Sequence, residues 1–516
     1  MHRLTRRQLV GGSLAGGALA AMPMIASGSE RASIHVRDVL LVDGTGAAPR
    51  RADVAVAGDR IAAILPPGAP APAATRVVEG EGRVLAPGFV DTHTHGDPLT
   101  QSYDAFLAMG VTTILLGMDG SGPRIGDDLD LRPWLAAIDR AALPLNVAAL
   151  ASHGTLRRAS GIADSVRRPD DAALERMAAR LDAELAAGAF GLSYGLEYVP
   201  GIYAEPAELA RLGRAVADRN GVVMSHMRSE NDEDIEASIE ELIASALPAR
   251  PHISHLKVVF GKGEDRAREL LALIAAKRRA GIDLSADAYP YNASFTGIAL
   301  LFPEWALPPS DYAAVVTSRR QELYDHLVAR MTRRGGPEAL LIGTAPYAGK
   351  TLGQAAREAG LHFADFLIKI GPGGASGAHF TMDEALQDVL IIDPDVAIAT
   401  DGGPGMRHPR ATGTYAKLIE HYVVGGGRLP IEQAVRKASG LPARLLRLPD
   451  RGVIRPGAKA DMVLFAPERV RARSTFVDPL AKADGFDMVI VNGRPAWENG
   501  ERVGAPGRLL RAAAPS

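Results

Sequence analysis

The 516-residue chain has no cysteine. That absence excludes disulfides, thiolate metal sites and cysteine nucleophiles together, so any metal ion has to be held by imidazole and carboxylate. It leaves the compartment open, because an exported protein need not contain disulfides. An excess of one charge is missing too: 58 Lys and Arg stand against 60 Asp and Glu, a net charge of -2, and no basic stripe is interleaved with aromatics. Nucleic acid and anionic membranes are therefore set aside as partners. No fixed-period repeat is present, and the one biased stretch, Pro66 to Ala74, reads as a loop. What remains, 47% hydrophobic and 23% charged residues, is an ordinary globular balance. The length suits one large barrel plus a satellite domain of about 100 residues.

The N-terminus carries its own signal. Thr5-Arg6-Arg7-Gln8-Leu9 precedes a weakly apolar Gly/Ala run from Val10 to Ala21 and a small-residue tail near Ala26. This order of basic, apolar and small residues resembles a twin-arginine export signal, and the expected location is periplasmic or secreted. The run is too short and glycine-rich for a spanning helix, so no membrane span is expected in the mature form. Residues 1–30 are left out of fold reasoning.

From Ile34 to Leu85, short apolar runs are broken by turn pairs such as Asp43-Gly44 and Gly58-Asp59. The same texture returns in Asp461 to Phe465 and in Met488 to Val491 before Asn492-Gly493. The expectation is one small β-sandwich assembled from both chain ends, residues 31–85 and 448–516. Between them, over 86–447, strand and helix patterns alternate. Apolar runs end at polar residues near Asp91, Asp119, His153, Ser193, His226, His255, Asp287 and Asp401. Helical periodicity intervenes, as in Ala172 to Ala187 with Leu174, Met177, Leu181 and Leu185 on one face, and in Asp265 to Arg279. Eight such units are the arithmetic of an α/β (β/α)8 TIM-type barrel, with the active site at the C-terminal ends of its strands. About 105 residues separate the seventh and eighth strands. That is too long for a connection, so residues 292–394 are expected to form an inserted subdomain or lid.

The chemistry concentrates at these strand ends. In Phe89-Val90-Asp91-Thr92-His93-Thr94-His95, alternate side chains share a face, so His93 and His95 can grip one ion from the barrel mouth. His226 in Ser225-His226-Met227-Arg228, His255 in Ser254-His255-Leu256-Lys257 and Asp401 in Thr400-Asp401-Gly402 add an imidazole and carboxylate set suited to zinc-like ions. His35, His326, His362 and His421 lack this context and read as structural or surface residues.

Together with Ser152-His153-Gly154-Thr155, Gly191-Leu192-Ser193-Tyr194-Gly195, Asp287-Ala288-Tyr289-Pro290-Tyr291 and His408-Pro409-Arg410, these motifs resemble the amidohydrolase superfamily and, within it, the D-aminoacylase (N-acyl-D-amino-acid deacylase) family. The resemblance covers roughly residues 34–295 and 395–500. It implies one or two divalent ions, zinc foremost. His93 and His95 would serve one ion and His226 and His255 the other, with Asp401 contacting the first and shuttling the proton. Family members bridge their metals with a cysteine after the second strand, where this chain has Asp119. A carboxylate can bridge as a thiolate does, although Asp119 can equally be a turn cap. No Lys stands at the end of the fourth strand, which argues against a carboxylated-lysine bridge. Position 229 is Ser, with Glu230 one step beyond the place of a deaminase glutamate, which disfavours a deaminase.

The implied reaction is hydrolysis of the amide of an N-acyl-D-amino acid or a related dipeptide: water acidified by metal gives its proton to Asp401, attacks the carbonyl, and Asp401 passes the proton to the leaving nitrogen. His153 is a candidate to steady the oxyanion. The resemblance assigns the substrate carboxylate to Lys257, Tyr289 and Arg410, with Ser294 a further candidate where the match slips. Lys257 can instead be a structural ion-pair partner, and Arg410 a surface residue. The alternatives are a cyclic-amide hydrolase or deaminase of the same superfamily, or a metal-bearing binding protein without turnover. Oligomeric state is left open.

Overall fold

Eight short parallel strands organise the chain in this computed structural model, which describes residues 32–70 and 73–513. The export signal expected over residues 1–30 lies outside them. The strands are β1 (Phe89–Asp91), β2 (Val111–Leu116), β3 (Asn146–Ala149, continued by Ala151–Ser152), β4 (Gly191–Gly195), β5 (Val222–His226), β6 (Arg250–Ile253), β7 (Ser285–Ala288) and β8 (Val396–Ile398). Each pairs in parallel with the next. The ring closes just past β1 and β8, where Thr94 bridges Gly402 and the Asp401 amide donates to His93 O at 2.9 Å. With helices outside and packed side chains within, strands such as β2 and β5 are buried at every position. This is why their sequences read as runs rather than as alternation.

The covering helices follow from caps and apolar stripes. The helix Asp171–Ala186 begins where the Asp170 carboxylate accepts the Ala173 amide at 2.7 Å, and it buries Ala173, Met177, Leu181 and Leu185. Ala173 takes the inward place expected of Leu174, which is only half-buried. The second helix expected from periodicity runs Gly263–Arg279.

Beside the barrel lies one nine-stranded sheet drawn from both chain ends. Its long first strand, Ala32–Leu41, shifts register between Val36 and Val39, pairing with Ala74–Glu79 before the bulge and with Val84–Leu85 after it. Val84–Pro87 then pairs with the C-terminal strand Met462–Phe465, around a core that includes Val54, Leu85, Met462 and Ile490. The last residues leave this domain and run back along β3, with Val147 N bonded to Arg508 O at 2.9 Å and Leu510 N to Val147 O at 2.7 Å. Gly507 permits the approach, since a Cβ there would lie 2.0 Å from Leu145 O.

The expected insert divides in two. Ser294–Gly297, Leu340–Ile342 and Ser376–His379 form an antiparallel sheet that packs with the helices Tyr312–Ser318, Arg320–Arg333, Leu352–Glu358 and Phe363–Ile370 around its own core of Leu301, Leu323, Leu327 and Phe366. The helix Glu384–Ile392 instead returns to the barrel, burying Leu386, Leu390 and Ile391 in the main core. Among the described residues no helix is long and apolar enough to cross a membrane.

Candidate metal centre and active site

Three of the candidate ligands leave their strands in left-handed backbone: Asp119 at φ 53°, His255 at φ 39° and Asp401 at φ 48°. Non-glycine residues adopt this conformation rarely and at a cost, which the surrounding structure must offset. Here buried polar groups lock each turn. The His255 amide donates to Asp287 Oδ1 at 2.6 Å, while Asp287 Oδ2 receives Thr92 Oγ1 at 2.5 Å and His252 Nε2 at 3.0 Å. Against the cost of burial, His252 and these hydrogen bonds hold the Asp287 carboxyl down at about 2. On the other side Asp91 accepts the Thr400 amide at 2.9 Å and its hydroxyl at 2.6 Å, fixing the residue before Asp401. The Asp119 turn is held by Ser193, whose Oγ accepts the Gly120 amide at 3.1 Å. Gly195 lets that turn approach β4, for a Cβ there would sit 2.0 Å from Asp119 O.

The side chains thus aimed converge. Asp119 Oδ1 lies 3.3 Å from His93 Nε2 and 3.5 Å from His255 Nε2, and its Oδ2 lies 3.6 Å from His95 Nε2. Asp401 Oδ1 is 3.1 Å from His95 Nε2 and 3.6 Å from His93 Nε2. Ligand atoms of His93, Asp119, His255 and Asp401 all lie within 4.8 Å of one another, and His226, Glu230 and His255 form a second such group. Asp119 therefore stands between the two His93/His95 rings and His255. It makes no ion-pair contact with His226, whose carboxylate neighbours are Glu197 Oε2 at 3.0 Å and Glu230 Oε2 at 3.9 Å.

Two observations test whether the residues suit a divalent cation. Both ring nitrogens of His93 and Asp119 Oδ1 are buried without any hydrogen-bond partner, a condition that buried polar atoms almost never tolerate. The groups in contact with the four histidines also carry excess negative charge, with Asp119, Asp401, Glu197 and Glu230 opposed by Lys257 and Arg410. His255 shows the consequence: against burial and the Lys257 charge, Asp401, Glu230 and Asp119 raise its imidazolium to about 10. The donor set, imidazole and carboxylate only, fits zinc-like ions.

Sequence reasoning passed over two acidic groups. Glu230, noted only for standing one place beyond a deaminase position, puts Oε1 3.0 Å from His255 Nδ1 and accepts Lys257 Nζ at 2.6 Å. Lys257, with His226 and His255, holds its carboxyl well below the usual range against burial. Glu197, two residues past β4, had no motif to mark it. Tyr198 beside it places its hydroxyl 3.3 Å from His226 Nδ1.

A cavity of about 360 Å³ opens onto this cluster and is lined by Lys257, Ser294 and Arg410 among others. Arg410 is no surface arginine. It is 2% exposed, with Nη1 2.8 Å from Asp401 Oδ2 and its guanidinium 4.7 Å from the Tyr289 ring centre. Lys257 Nζ lies 6.0 Å from the same ring, so the two cations flank Tyr289 while each already faces a carboxylate. His153 is the exception. It does not line the cavity; its Nε2 lies 2.7 Å from Glu208, which also pairs with Arg157, and its Nδ1 is buried without a partner, so the ring belongs to a buried ion cluster behind β3 rather than to the cavity wall.

The comparisons agree with this arrangement. The profile of the amidohydrolase family matches residues 354–496. Over 509 residues the chain is 33% identical to an N-acyl-D-glutamate deacylase of Alcaligenes xylosoxydans xylosoxydans, covering 93% of this chain and 97% of that protein. A D-aminoacylase of the same organism is 33% identical over 500 residues, 91% and 96% of the two chains. The crystal structure of the N-acyl-D-glutamate deacylase from Bordetella bronchiseptica, complexed with zinc and a phosphonate mimic of the tetrahedral intermediate, superposes with a TM-score of 0.81 at 31% identity, covering 94% of this chain and 100% of that one. With such identity over nearly the full length of both partners, and with a TIM-type barrel that carries a β domain, the chain belongs to the amidohydrolase family, in its D-aminoacylase (N-acyl-D-amino-acid deacylase) branch.

Proposed function

We propose that this enzyme hydrolyses the amide bond of N-acyl-D-amino acids, with one or two zinc-class ions held by His93, His95, Asp119, His226, His255 and Asp401. The observation that carries the reading is the convergence of buried, partnerless imidazole and carboxylate atoms at the barrel mouth. A divalent ion bound there supplies Lewis-acid polarisation of a carbonyl and brings the pKa of water toward neutrality. The protein's own part falls to Asp401. Against burial, Arg410 first and then His255 and His93 keep its carboxyl well below the usual range, so it is ionised at neutral pH, the state a proton acceptor needs, while the same cations weaken it as a base. Arg410 fixes Oδ2 at 2.8 Å, which leaves Oδ1 as the proton-handling atom, facing His95 at 3.1 Å. From there the proton can pass to the leaving nitrogen.

In this reading Lys257 and Arg410, flanking Tyr289, receive the substrate carboxylate from two sides, and Ser294 contributes a hydroxyl from the cavity wall. Asp119 stands in the bridging place. The D configuration is supported by the names of the relatives. Export in folded form is part of the same proposal, supported by Arg6 and Arg7 ahead of the apolar run. Assaying metal-loaded enzyme with paired N-acetyl-D- and N-acetyl-L-amino acids, and measuring both free amino acid and ammonia, tests the activity. Release of the D-amino acid is expected. Ammonia without carboxylate release, or faster turnover of the L series, overturns it.

A further inference from the structure

Four arginines are buried in the described residues, and three have a carboxylate partner, although Nε of Arg157 and of Arg410 is also without a hydrogen bond. Arg157 pairs with Glu208, Arg410 with Asp401 and Arg451 with Asp461. Arg334 is the fourth. It follows the helix Arg320–Arg333 of the insert, is 6% exposed, and its side chain lines the active-site cavity. Among the described residues it has no carboxylate within ion-pair distance and its side chain has no hydrogen-bond acceptor, with Nε buried and unpartnered. Burying a guanidinium without a counter-charge is expensive, so such a group calls for an anion that binds it.

The surroundings cannot supply one. Glu197 and Glu230, whose charges Arg334 feels, are engaged by His226 and by Lys257 with His255. The guanidinium instead rests 5.8 Å from the centre of the Phe260 ring. Arg330 and Arg333 add positive potential from the same helix. Arg333 is neutralised by Glu233, whereas Arg330 has no ion-pair partner among the described residues and lines an adjoining recess that shares Glu197, Tyr198 and Thr296 with the cavity. Arg334 feels Glu197 and Glu230, which meet His226, whereas Arg410 pairs with Asp401 beside His95, so the two arginines are associated with different carboxylates of the ligand cluster. An α-carboxylate held by Arg410 and Lys257 leaves Arg334 free for another group.

We propose that Arg334 is a specificity-determining residue that binds a second carboxylate of the substrate, so that the preferred substrate is a dicarboxylate whose extra anion sits on the amino-acid side chain or on the acyl group. This rests on the deacylase reading above. A planar guanidinium matches a carboxylate through paired hydrogen bonds, and one charged hydrogen bond corresponds to about 10- to 150-fold in affinity.

The test uses the metal-loaded full chain and two near-isosteric substrate pairs: N-acetyl-D-glutamate with N-acetyl-D-glutamine, and N-succinyl-D-alanine with N-succinamoyl-D-alanine. Wild-type enzyme should favour the anionic member of one pair at least tenfold in kcat/KM, and the pair that shows the preference locates the extra anion. In R334Q that ratio should fall by about 10- to 150-fold, mainly through KM, with R334K recovering part of it. A purely structural role would lower both members together and keep the ratio, and that result overturns the proposal, as does a wild type without preference in either pair. If none of the four is hydrolysed, the deacylase reading fails instead. Calorimetric binding of the two anionic compounds then decides for Arg334, where equal affinity in wild type and R334Q counts against it and a tenfold loss counts for it.

Discussion

Asp401→Asn is the most direct perturbation of the proposed chemistry. The change preserves the outline of the side chain, and asparagine tolerates the left-handed backbone at φ 48°, so little strain is introduced. It removes the proton acceptor and the negative charge that Arg410 Nη1 faces at 2.8 Å, while His93, Asp119 and His255 keep their mutual positions. General acid–base catalysis contributes about 10²- to 10⁴-fold, so kcat should fall by that factor, equivalent to about 2.7–5.4 kcal/mol in the barrel-mouth transition state. KM should move much less, because Lys257 and Arg410 still face the cavity. The assay pairs steady-state release of the free amino acid with elemental analysis of the same sample. Retention of most metal with a kcat below about one hundredth of wild type is the expected outcome. A variant that keeps full metal and more than about one tenth of the wild-type kcat refutes the assignment of proton transfer to Asp401.

Further tests address the surrounding groups. Asp119→Ala and Asp119→Asn should both lose bound metal; the Asn variant, compatible with φ 53°, separates loss of charge from backbone strain, and full metal content in either removes the bridging role. Arg410→Ala should cost about 10- to 150-fold in kcat/KM on carboxylate substrates. Because Arg410 also holds Asp401, kcat on the matching neutral amides should drop too, and an unaltered kcat there speaks against that pairing as a catalytic support. Asp287→Asn should lower Tm at neutral pH: the folded carboxyl, at about 2, lies below its ordinary 3.8, so its contribution, about 2 kcal/mol, is complete above pH 4 and fades as pH falls toward 2. A Tm difference that stays constant across that window contradicts this linkage. Changing Arg6 and Arg7 together to Lys should leave the enzyme in the cytoplasm, since the pair is read by a receptor rather than as charge alone, and undiminished periplasmic yield counts against export by this route.

Much of this organisation was legible before any coordinates, for local reasons. Apolar runs ending in His or Asp announce strands that deliver ligands to one rim, and eight of them announce the barrel. The motif around His93 and His95, the histidines at 226 and 255, and Asp401 all stand in sequence contexts that name their chemistry. What local pattern does not encode is which side chains spend their hydrogen-bonding capacity on one another. Lys257 reads either as a carboxylate binder or as an ion-pair partner and meets Glu230, Arg410 reads either as a carboxylate binder or as a surface residue and is buried against Asp401, and His153, a candidate oxyanion donor, turns its Nε2 to Glu208. The helix Glu384–Ile392 reads as insert, because a helical stripe does not state which core it will meet.

The sequence by itself determined the barrel, the ligand types and the exclusion of thiolate chemistry, since these follow from residue identity and period along the chain. Only the tertiary structure decided that Glu197 and Glu230 join the histidines, that Asp119 faces His93 and His255 rather than His226, and that Arg334 reaches the cavity without a counter-ion. Those contacts join residues brought together by strand ends and an inserted domain. Their pairing depends on distances of about 3 Å that no spacing in the chain expresses.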